Sequence, residues 1–305
     1  MIYDLIIIGG GPAGMSAALY AQRQNLKFLM IAKEIGGLAN YVPSLKAYLG
    51  YQYVTGFELI EKFKEHLAQY KVDIKDEEVH TVKKKGNMFS VVTGEKTYGT
   101  KAVIVATGRR FKELIIPGVA KYMHKGVHDC TVCDGVFYKN KAVAIVGGGR
   151  TGLYATLFML KIAKKIYLIE RNSKLKTEGG LQQIADIIKK NKKVTVLTHT
   201  SPIEVKGEKF VNELVLSKNG KKSALPVEGV FIEIGYDPNT DFVKGVVKMN
   251  DRKEIIVNQE CMTNIPGLFA AGDVTCLNEK QVVVSAGEGA KAALAAVLYL
   301  EELEK

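Results

Sequence analysis

Two cysteines, Cys130 and Cys133, stand three positions apart, and an acid, Asp134, follows them directly. This spacing is typical of a tight redox disulfide, in which two neighbouring thiols bond to each other and reopen on reduction. If the pair opens a helix, the positive end of the helix dipole would favour a thiolate. Asp134 could then exchange a proton with a thiol, and His128 could tune one.

A C-x-x-C segment can also be a pair of buried thiols or half of a metal site. A zinc site normally needs a second close pair or histidines at ligand spacing. The other two cysteines, Cys261 and Cys276, lie 15 positions apart and do not provide that pattern. We therefore predict redox chemistry and no metal.

Two similar glycine-rich segments must position this motif: "IIIGGGPAGM", residues 6–15, and "AIVGGGRTGL", residues 144–153. Each lies between an apolar run typical of a buried parallel strand and a small-residue run typical of a helix. In each, three glycines form G-x-G-x-x-G, and an acid follows about 20 residues later, as in dinucleotide-binding loops. The two sets are Gly9, Gly11, Gly14 and Glu34, then Gly147, Gly149, Gly152 and Glu170. The sequence thus predicts an α/β protein with two Rossmann-like domains of the three-layer ββα, nucleotide-binding type.

The chain has 305 residues, 47% of them hydrophobic, which is enough for more than one domain. We find no uninterrupted apolar run of about 18 residues and expect no membrane-spanning helix. The first strand begins at Ile2, so we expect no signal peptide and a cytoplasmic location.

Formal net charge is +11, and most of it lies in residues 112–240, where 21 Lys and Arg face 12 Asp and Glu. This excess is either a solvated lysine-rich surface or a docking surface for an acidic macromolecule. A nucleic-acid partner is not expected, because no aromatic-basic stripe or helix-turn-helix pattern accompanies the charge.

Five motifs together carry a resemblance to a known family. They are Gly9-Gly11-Gly14, Ala106-Thr107-Gly108, Cys130-Thr131-Val132-Cys133-Asp134-Gly135, Gly147-Gly149-Gly152 and Ala271-Gly272-Asp273-Val274. In order and spacing the chain resembles the low-molecular-weight thioredoxin reductases over nearly its whole length. The resemblance implies an FAD-binding domain made of residues 1–111 and 241–305. It also implies an inserted domain, residues 112–240, that carries the disulfide, and a homodimer that reduces thioredoxin.

The resemblance also implies roles for individual residues. Cys133 would be the sulfur that faces the flavin, Cys130 the outward sulfur that attacks thioredoxin, and Asp134 the group that manages the proton. The sequence departs from the family at Lys280, where arginine is usual, and at Leu38, where glutamine is usual, so polar contacts to the flavin ring can differ. The implied FAD-binding residues are Gly9, Gly11, Pro12, Ala13, Gly14, Glu34, Gly36, Gly37, Thr107, Gly108, Gly272, Asp273, Lys280, Gln281 and Val282.

The second glycine-rich loop departs further from NADPH-dependent relatives. Neither acid usual in the following helix is present, Arg150 stands inside the loop, and Glu170 stands where the 2′-phosphate would lie. Like charge opposes that phosphate, so the sequence disfavours NADPH. We hypothesise that Arg150 and Glu170 pair across the pocket, so that this fold has lost its nucleotide.

The flavin then needs another electron donor, and the sequence resembles the ferredoxin-dependent branch of the family. The basic domain, with Arg109 and Arg110 at the domain crossing, would attract an acidic ferredoxin. NADH, bound through Glu170 and the two ribose hydroxyls, stays open, as do NADPH, a deazaflavin donor and a non-catalytic FAD redox sensor.

Overall fold

A computed structural model describes residues 2–42, 45–94, 96–178, 180–303 and 305. In it the chain forms two compact units, one made of Met1–Arg110 and Asp237–Lys305, the other of Phe111–Tyr236. From the sequence we placed the two crossings after residues 111 and 240. The difference arises because the chain crosses within short strands, which motif spacing does not locate.

The first unit begins with a strand, a helix and a second strand around the first glycine-rich loop. Its elements up to the first crossing are β1 (Ile2–Gly10), α1 (Pro12–Arg23), β2 (Phe28–Ile35), α2 (Gly56–Ala68), β3 (Ile74–Lys75), β4 (Val79–Lys85), β5 (Met88–Thr93), β6 (Thr97–Val105) and β7 (Arg109–Phe111).

The second unit repeats this pattern around the other glycine-rich loop and adds an antiparallel hairpin sheet. Its elements are α3 (Val119–Tyr122), β8 (Val127–His128), α4 (Thr131–Asp134), β9 (Ala142–Val146), α5 (Arg150–Met159), β10 (Lys165–Ile169), α6 (Gln182–Lys190), β11 (Val194–Leu197), β12 (Thr200–Gly207), β13 (Val211–Lys218), β14 (Lys221–Pro226) and β15 (Gly229–Ile232). The chain returns to the first unit through β16 (Tyr236–Pro238), β17 (Leu268–Ala270) and α7 (Val282–Leu303).

Each unit is built on a sheet with a parallel centre. In the first unit the strand order is β3-β2-β1-β6-β5-β4, with β17 also paired to β6. In the second it is β11-β10-β9-β15-β8, parallel throughout, beside the antiparallel sheet β12-β13-β14. The α/β fold class predicted from the sequence is confirmed.

The apolar strand runs divide their side chains between two cores. In β1, Leu5 and Ile7 join one hydrophobic cluster, while Ile6 and Ile8 join another on the opposite face. The alternation follows from the two-residue period of a strand, and it requires layers on both faces of the sheet. In β9, residues 143 and 145 face one cluster and residues 144 and 146 another.

Helix α7 is long and apolar enough, by length and composition, to cross a membrane. We did not expect such a helix from the sequence. Its inner face nevertheless belongs to the first unit's core, where Ala292, Ala293 and Ala296 are buried. A Cβ added at Gly289 would lie 2.0 Å from the carbonyl oxygen of Ala13, so α7 approaches α1 at backbone distance. We interpret α7 as a core helix of this unit.

Candidate active site

Cys130 and Cys133 form a disulfide, with their Cα atoms 5.4 Å apart. Cys130 is the N-cap of α4, and its Sγ accepts a hydrogen bond of 3.2 Å from the backbone N–H of Cys133. The pair therefore stands at the start of a helix, which was the condition for a helix dipole to act on a thiolate, although this helix has only four residues.

A buried imidazole lies beside the helix that carries the disulfide. His128 is 5% exposed, and its Nδ1 lies 3.0 Å from Oδ2 of Asp134, although the two groups are not aligned for a hydrogen bond. On the other side of the ring, Nε2 lies 2.7 Å from the hydroxyl of Tyr138. The imidazole of His128 thus lies between Asp134 and a buried tyrosine.

A second acid reaches the segment between the two sulfurs. The hydroxyl of Thr131, which is itself buried, donates a hydrogen bond of 2.6 Å to Oε1 of Glu233. The backbone carbonyl of Glu233 accepts a bond of 2.9 Å from the hydroxyl of Thr151, at the start of α5. Burial raises the pKa of Glu233, and the hydrogen bonds from Thr131 partly oppose this. Glu233 ties the cysteine segment to the second glycine-rich loop.

The first glycine-rich loop brings the end of β1, the start of α1 and the segment after β2 together. A Cβ at Gly9 would lie 2.3 Å from the carbonyl oxygen of Ala106, and one at Gly14 would lie 1.9 Å from that of Gly9. A Cβ at Gly37 would lie 3.8 Å from the Cα of Gly11, whereas one at Gly11 itself would meet nothing within 4 Å. The loop is therefore closely packed on its inner side and open at Gly11.

Several features of this loop fit the pyrophosphate of FAD. Helix α1 begins with Pro12 and Ala13 after the N-cap Gly11, and no side chain caps its first turn, so backbone N–H groups are available to an anion. Glu34, at the end of β2, is exposed and accepts a hydrogen bond of 3.2 Å from Tyr41. It is placed to bind a ribose.

The remaining predicted FAD residues lie in the same unit, on three loops. Thr107 exchanges two hydrogen bonds with Asn239, of 2.7 and 2.8 Å, and the carbonyl of Gly108 accepts one of 3.0 Å from the N–H of Asn239. The backbone N–H of Gly36, a residue at φ +97°, donates a hydrogen bond of 2.8 Å to the carbonyl of Gly10. Gln281 is exposed, and Val282 begins α7.

A buried acid that had no signal in the sequence supports the Gly272–Asp273 turn. Glu288, on α7, accepts a hydrogen bond of 2.6 Å from the N–H of Gly272, and burial raises the pKa of its carboxyl. Nearby, Nζ of Lys280 donates a hydrogen bond of 2.5 Å to the carbonyl of Thr275, and burial lowers the pKa of that amine. Gly272 also approaches α1, since its Cβ would lie 3.0 Å from that of Ala13.

The two arginines at the domain crossing are already paired within the first unit. Arg109 lies 3.1 Å from Oδ2 of Asp273, and Arg110 lies 2.9 Å from Oδ2 of Asp241. We expected both side chains to attract an acidic partner. Because each has an acid of its own, neither arginine offers its full charge to a partner.

Glu170 holds the second glycine-rich loop from inside. Glu170 is only 5% exposed, and its Oε2 accepts a hydrogen bond of 2.8 Å from the N–H of Gly148. Oε1 accepts two more hydrogen bonds from Asn172, one of 2.7 Å from its backbone N–H and one of 2.6 Å from its side-chain amide. The Arg150–Glu170 pairing stays a prediction, but the structure gives this carboxylate partners that we did not foresee from the sequence.

The acids at equivalent positions after the two loops differ in burial. Glu34 is exposed beside the first loop, whereas Glu170 is buried against the second. A Cβ added at Gly148 would lie 2.6 Å from Oε2 of Glu170 and 2.7 Å from a methyl carbon of Leu175. Its counterpart Gly10 is packed just as closely, since a Cβ there would lie 2.3 Å from the carbonyl oxygen of Glu34, so the second loop is distinguished by its buried carboxylate.

Glu170→Ala should destabilise the protein by about 2–3 kcal/mol, because it leaves the N–H of Gly148 without its carboxylate partner. The expected fall in Tm is roughly 4–10 °C, measured by thermal denaturation of the FAD-free protein. Glu34→Ala is the matched control: it removes an exposed acid at the equivalent position and should change Tm by no more than about 2 °C. Equal shifts in the two variants would contradict the buried role of Glu170.

Among the residues that the structure describes, no group of three or more His, Cys, Asp and Glu side chains is placed to hold a metal ion. Two further residues of the disulfide region, Tyr138 and Glu233, had no signal in the sequence. Each reaches the motif only through the fold, from a turn after α4 and from the end of β15 respectively.

The chain belongs to the pyridine nucleotide-disulphide oxidoreductases, whose family model matches residues 3–293. This is an FAD-binding family of oxidoreductases. Both the fold and the disulfide are like those of thioredoxin reductases.

Particular relatives define the similarity more closely. Alkyl hydroperoxide reductase F of Staphylococcus epidermidis is 35% identical over 302 residues, which cover 98% of this chain and 59% of that protein. A Lactococcus lactis thioredoxin reductase structure is 32% identical, with a TM-score of 0.86, covering 98% of this chain and 99% of that one. A ferredoxin-flavin thioredoxin reductase structure of Clostridium acetobutylicum is 32% identical, with a TM-score of 0.57, covering 100% of this chain and 99% of that one. The chain therefore spans about three fifths of the length of the curated relatives it matches.

Proposed function

We propose that this chain is an FAD-dependent reductase of thioredoxin disulfide that receives its electrons from reduced ferredoxin. The observation that carries the choice of donor is the carboxylate of Glu170 on the N–H of Gly148. A loop whose own buried acid occupies a backbone donor is a poor cradle for the phosphates of a dinucleotide. The Clostridium acetobutylicum neighbour, named for ferredoxin and flavin, adds support by analogy.

The chemistry divides between the two units. Bound FAD supplies a redox centre that can take up electrons singly and pass on two. The first glycine-rich loop and the start of α1 would bind its pyrophosphate, and Glu34 its ribose. In the second unit Cys133 would accept the electron pair and Cys130 would attack the disulfide of thioredoxin, with Asp134 exchanging the proton.

The proposed acceptor step balances as follows. The Cys130 thiolate attacks one sulfur of the thioredoxin disulfide, that S–S bond breaks, and a mixed disulfide forms. The Cys133 thiolate then attacks Sγ of Cys130, which restores the Cys130–Cys133 bond and releases thioredoxin with two reduced sulfurs. Two electrons leave the enzyme's dithiol, and the protons of its thiols pass to the sulfurs of thioredoxin.

Charge supports ferredoxin as the partner. The second unit carries most of the chain's net positive charge, and ferredoxins are typically small and strongly acidic. Opposite charges of this kind speed association at low salt and lose their effect as salt screens them.

We expect reduced ferredoxin to drive thioredoxin reduction, whereas NADPH and NADH bleach the bound flavin slowly or not at all. The ferredoxin rate should fall about tenfold between roughly 20 mM and 300 mM salt. The measurement supplies each donor anaerobically and follows FAD absorbance and thioredoxin thiols. Fast bleaching of the flavin by either nicotinamide would overturn the proposed donor. A parallel assay with a hydroperoxide in place of thioredoxin tests the acceptor suggested by the name of the curated relatives.

Gly149→Ala gives this assay a structural control. A Cβ at Gly149 would meet no protein atom within 4 Å, so the fold should tolerate it. If a nicotinamide bound at this loop, the added methyl group would crowd its pyrophosphate and raise its KM. With ferredoxin as donor, we expect a rate within about twofold of the unsubstituted protein.

We also propose a homodimer located in the cytoplasm, as the resemblance implies. Exposed apolar side chains on the outer face of α7, Leu294 and Leu298, are consistent with such an interface. Light scattering on the purified protein tests the dimer, and cell fractionation tests the location.

A further inference from the structure

His128 is held in one orientation by aromatic packing. Its ring stacks on that of Phe231, with centroids 5.5 Å apart and planes 27° apart. It also meets the ring of Tyr138 edge-on, at a centroid distance of 5.4 Å. A buried imidazole fixed on two sides keeps its nitrogen atoms pointing at constant neighbours.

The neighbours of the ring decide which nitrogen carries the proton. Burial raises the pKa of Tyr138 to about 12, so this hydroxyl keeps its hydrogen at neutral pH and can donate it to Nε2 of His128, 2.7 Å away. The carboxylate of Asp134 can only accept, and it lies 3.0 Å from Nδ1. We therefore assign the tautomer that bears hydrogen on Nδ1, facing Asp134.

We propose that His128, held by Tyr138 and Phe231, is a positioning residue that fixes the Asp134 carboxylate for proton exchange with the cysteine thiols. The inference rests on the proposed function insofar as it needs Cys130 and Cys133 to cycle between disulfide and dithiol. It does not depend on which donor reduces them or on which protein disulfide they reduce.

In the proposed step Asp134 takes the proton of the attacking thiol. The S–H bond breaks, the electron pair stays on sulfur, and the proton moves to a carboxylate oxygen of Asp134. When the leaving sulfur of the acceptor departs as a thiolate, the same proton returns to it. The Nδ1–H group of His128, 3.0 Å from the carboxylate, attracts it and so keeps it in place between these two transfers.

The imidazole itself stays neutral in this arrangement. Burial lowers the pKa of His128, and the nearby carboxylate of Asp134 opposes that shift only in part. At neutral pH the ring thus presents an uncharged N–H group to the carboxylate at a fixed position and is not a second acid. The titratable or charged groups around the His128–Tyr138 pair are His124, Asp129, Asp134, Lys141 and Glu228.

The test measures the dithiol half-reaction alone. The FAD-loaded protein is reduced with dithiothreitol, freed of excess reductant and mixed with 2-hydroxyethyl disulfide. Remaining protein thiols are alkylated and counted by intact mass spectrometry over a range of pH. His128→Phe keeps an aromatic ring against Phe231 and removes only the polar edge. We expect it to slow thiol consumption about tenfold at pH 7 and to make the pH profile resemble that of Asp134→Asn.

Two further variants separate positioning from packing. His128→Asn places a side-chain amide N–H close to the position of Nδ1, and we expect a rate within about threefold of the unsubstituted protein. His124→Asn is the matched control, because His124 is exposed, its ring lies 6.4 Å from that of His128, and asparagine tolerates its φ of +59°. It should leave the rate unchanged.

The decisive comparison is the double variant. If His128 acts only through Asp134, adding His128→Phe to Asp134→Asn will slow the reaction no further. Independent, multiplying effects would overturn the proposal. A rate for His128→Phe within twofold of the unsubstituted protein would overturn it too, as would no rescue by His128→Asn.

Discussion

Cys130→Ser will abolish thioredoxin reduction while leaving FAD bound. The loss should be roughly a thousandfold or more, because the variant removes the attacking sulfur and leaves only Cys133, the sulfur assigned to the flavin side. FAD should stay because the residues that fit it lie in the first unit, whereas the disulfide lies in the second. Turnover with thioredoxin and flavin absorbance of the purified variant provide the two measurements.

Cys133→Ser will lose turnover to the same extent but will behave differently with thioredoxin. After reduction, its remaining Cys130 can attack the thioredoxin disulfide, and no second thiol resolves the product. We expect a covalent complex on a non-reducing gel, which Cys130→Ser will not form. Cys276→Ser is the control, a free cysteine of the first unit that should leave turnover unchanged. A complex formed only by Cys130→Ser would reverse the roles of the two sulfurs.

Gly14→Ala will damage the first loop itself. Its Cβ would lie 1.9 Å from the carbonyl oxygen of Gly9, so the start of α1 must move away from β1. We expect a cost of about 3 kcal/mol or more, together with loss of bound FAD. Flavin absorbance per protein and Tm are the measurements.

Gly11→Ala separates the fold from the cofactor. A Cβ there has no protein atom within 4 Å, so Tm of the apoprotein should stay within about 1–2 °C of the unsubstituted value. The methyl group would instead stand where the backbone approaches the pyrophosphate, and FAD affinity should fall at least about tenfold. Unchanged FAD affinity in Gly11→Ala would contradict the placement of the pyrophosphate at this loop.

Features that depend on neighbouring residues were predictable from the sequence. The glycines of both loops, the apolar strands beside them and the cysteine pair at a helix start all follow from local geometry and residue type. The positions of Gly9 and Gly14, where a Cβ would collide with backbone oxygen atoms, show why glycine is required there.

The destinations of long polar side chains were not predictable in the same way. The sequence placed Glu170 correctly after β10, but only the folded chain shows its oxygen atoms bonded to Gly148 and Asn172. Tyr138 and Glu233 likewise come within reach of the disulfide segment through packing of separate elements. Such contacts depend on three-dimensional distance, which spacing along the chain does not encode.

The bond from Gly148 to Glu170 also changes how the second unit should respond to its surroundings. A domain that depends on a diffusible nucleotide gains stability in proportion to the logarithm of that nucleotide's concentration. Here the anion is tethered by the chain, so its local concentration never varies. On the proposed function, the second unit should therefore keep the same melting behaviour whether the cell's nicotinamide pool is full or depleted, and its folding would be uncoupled from that part of metabolism.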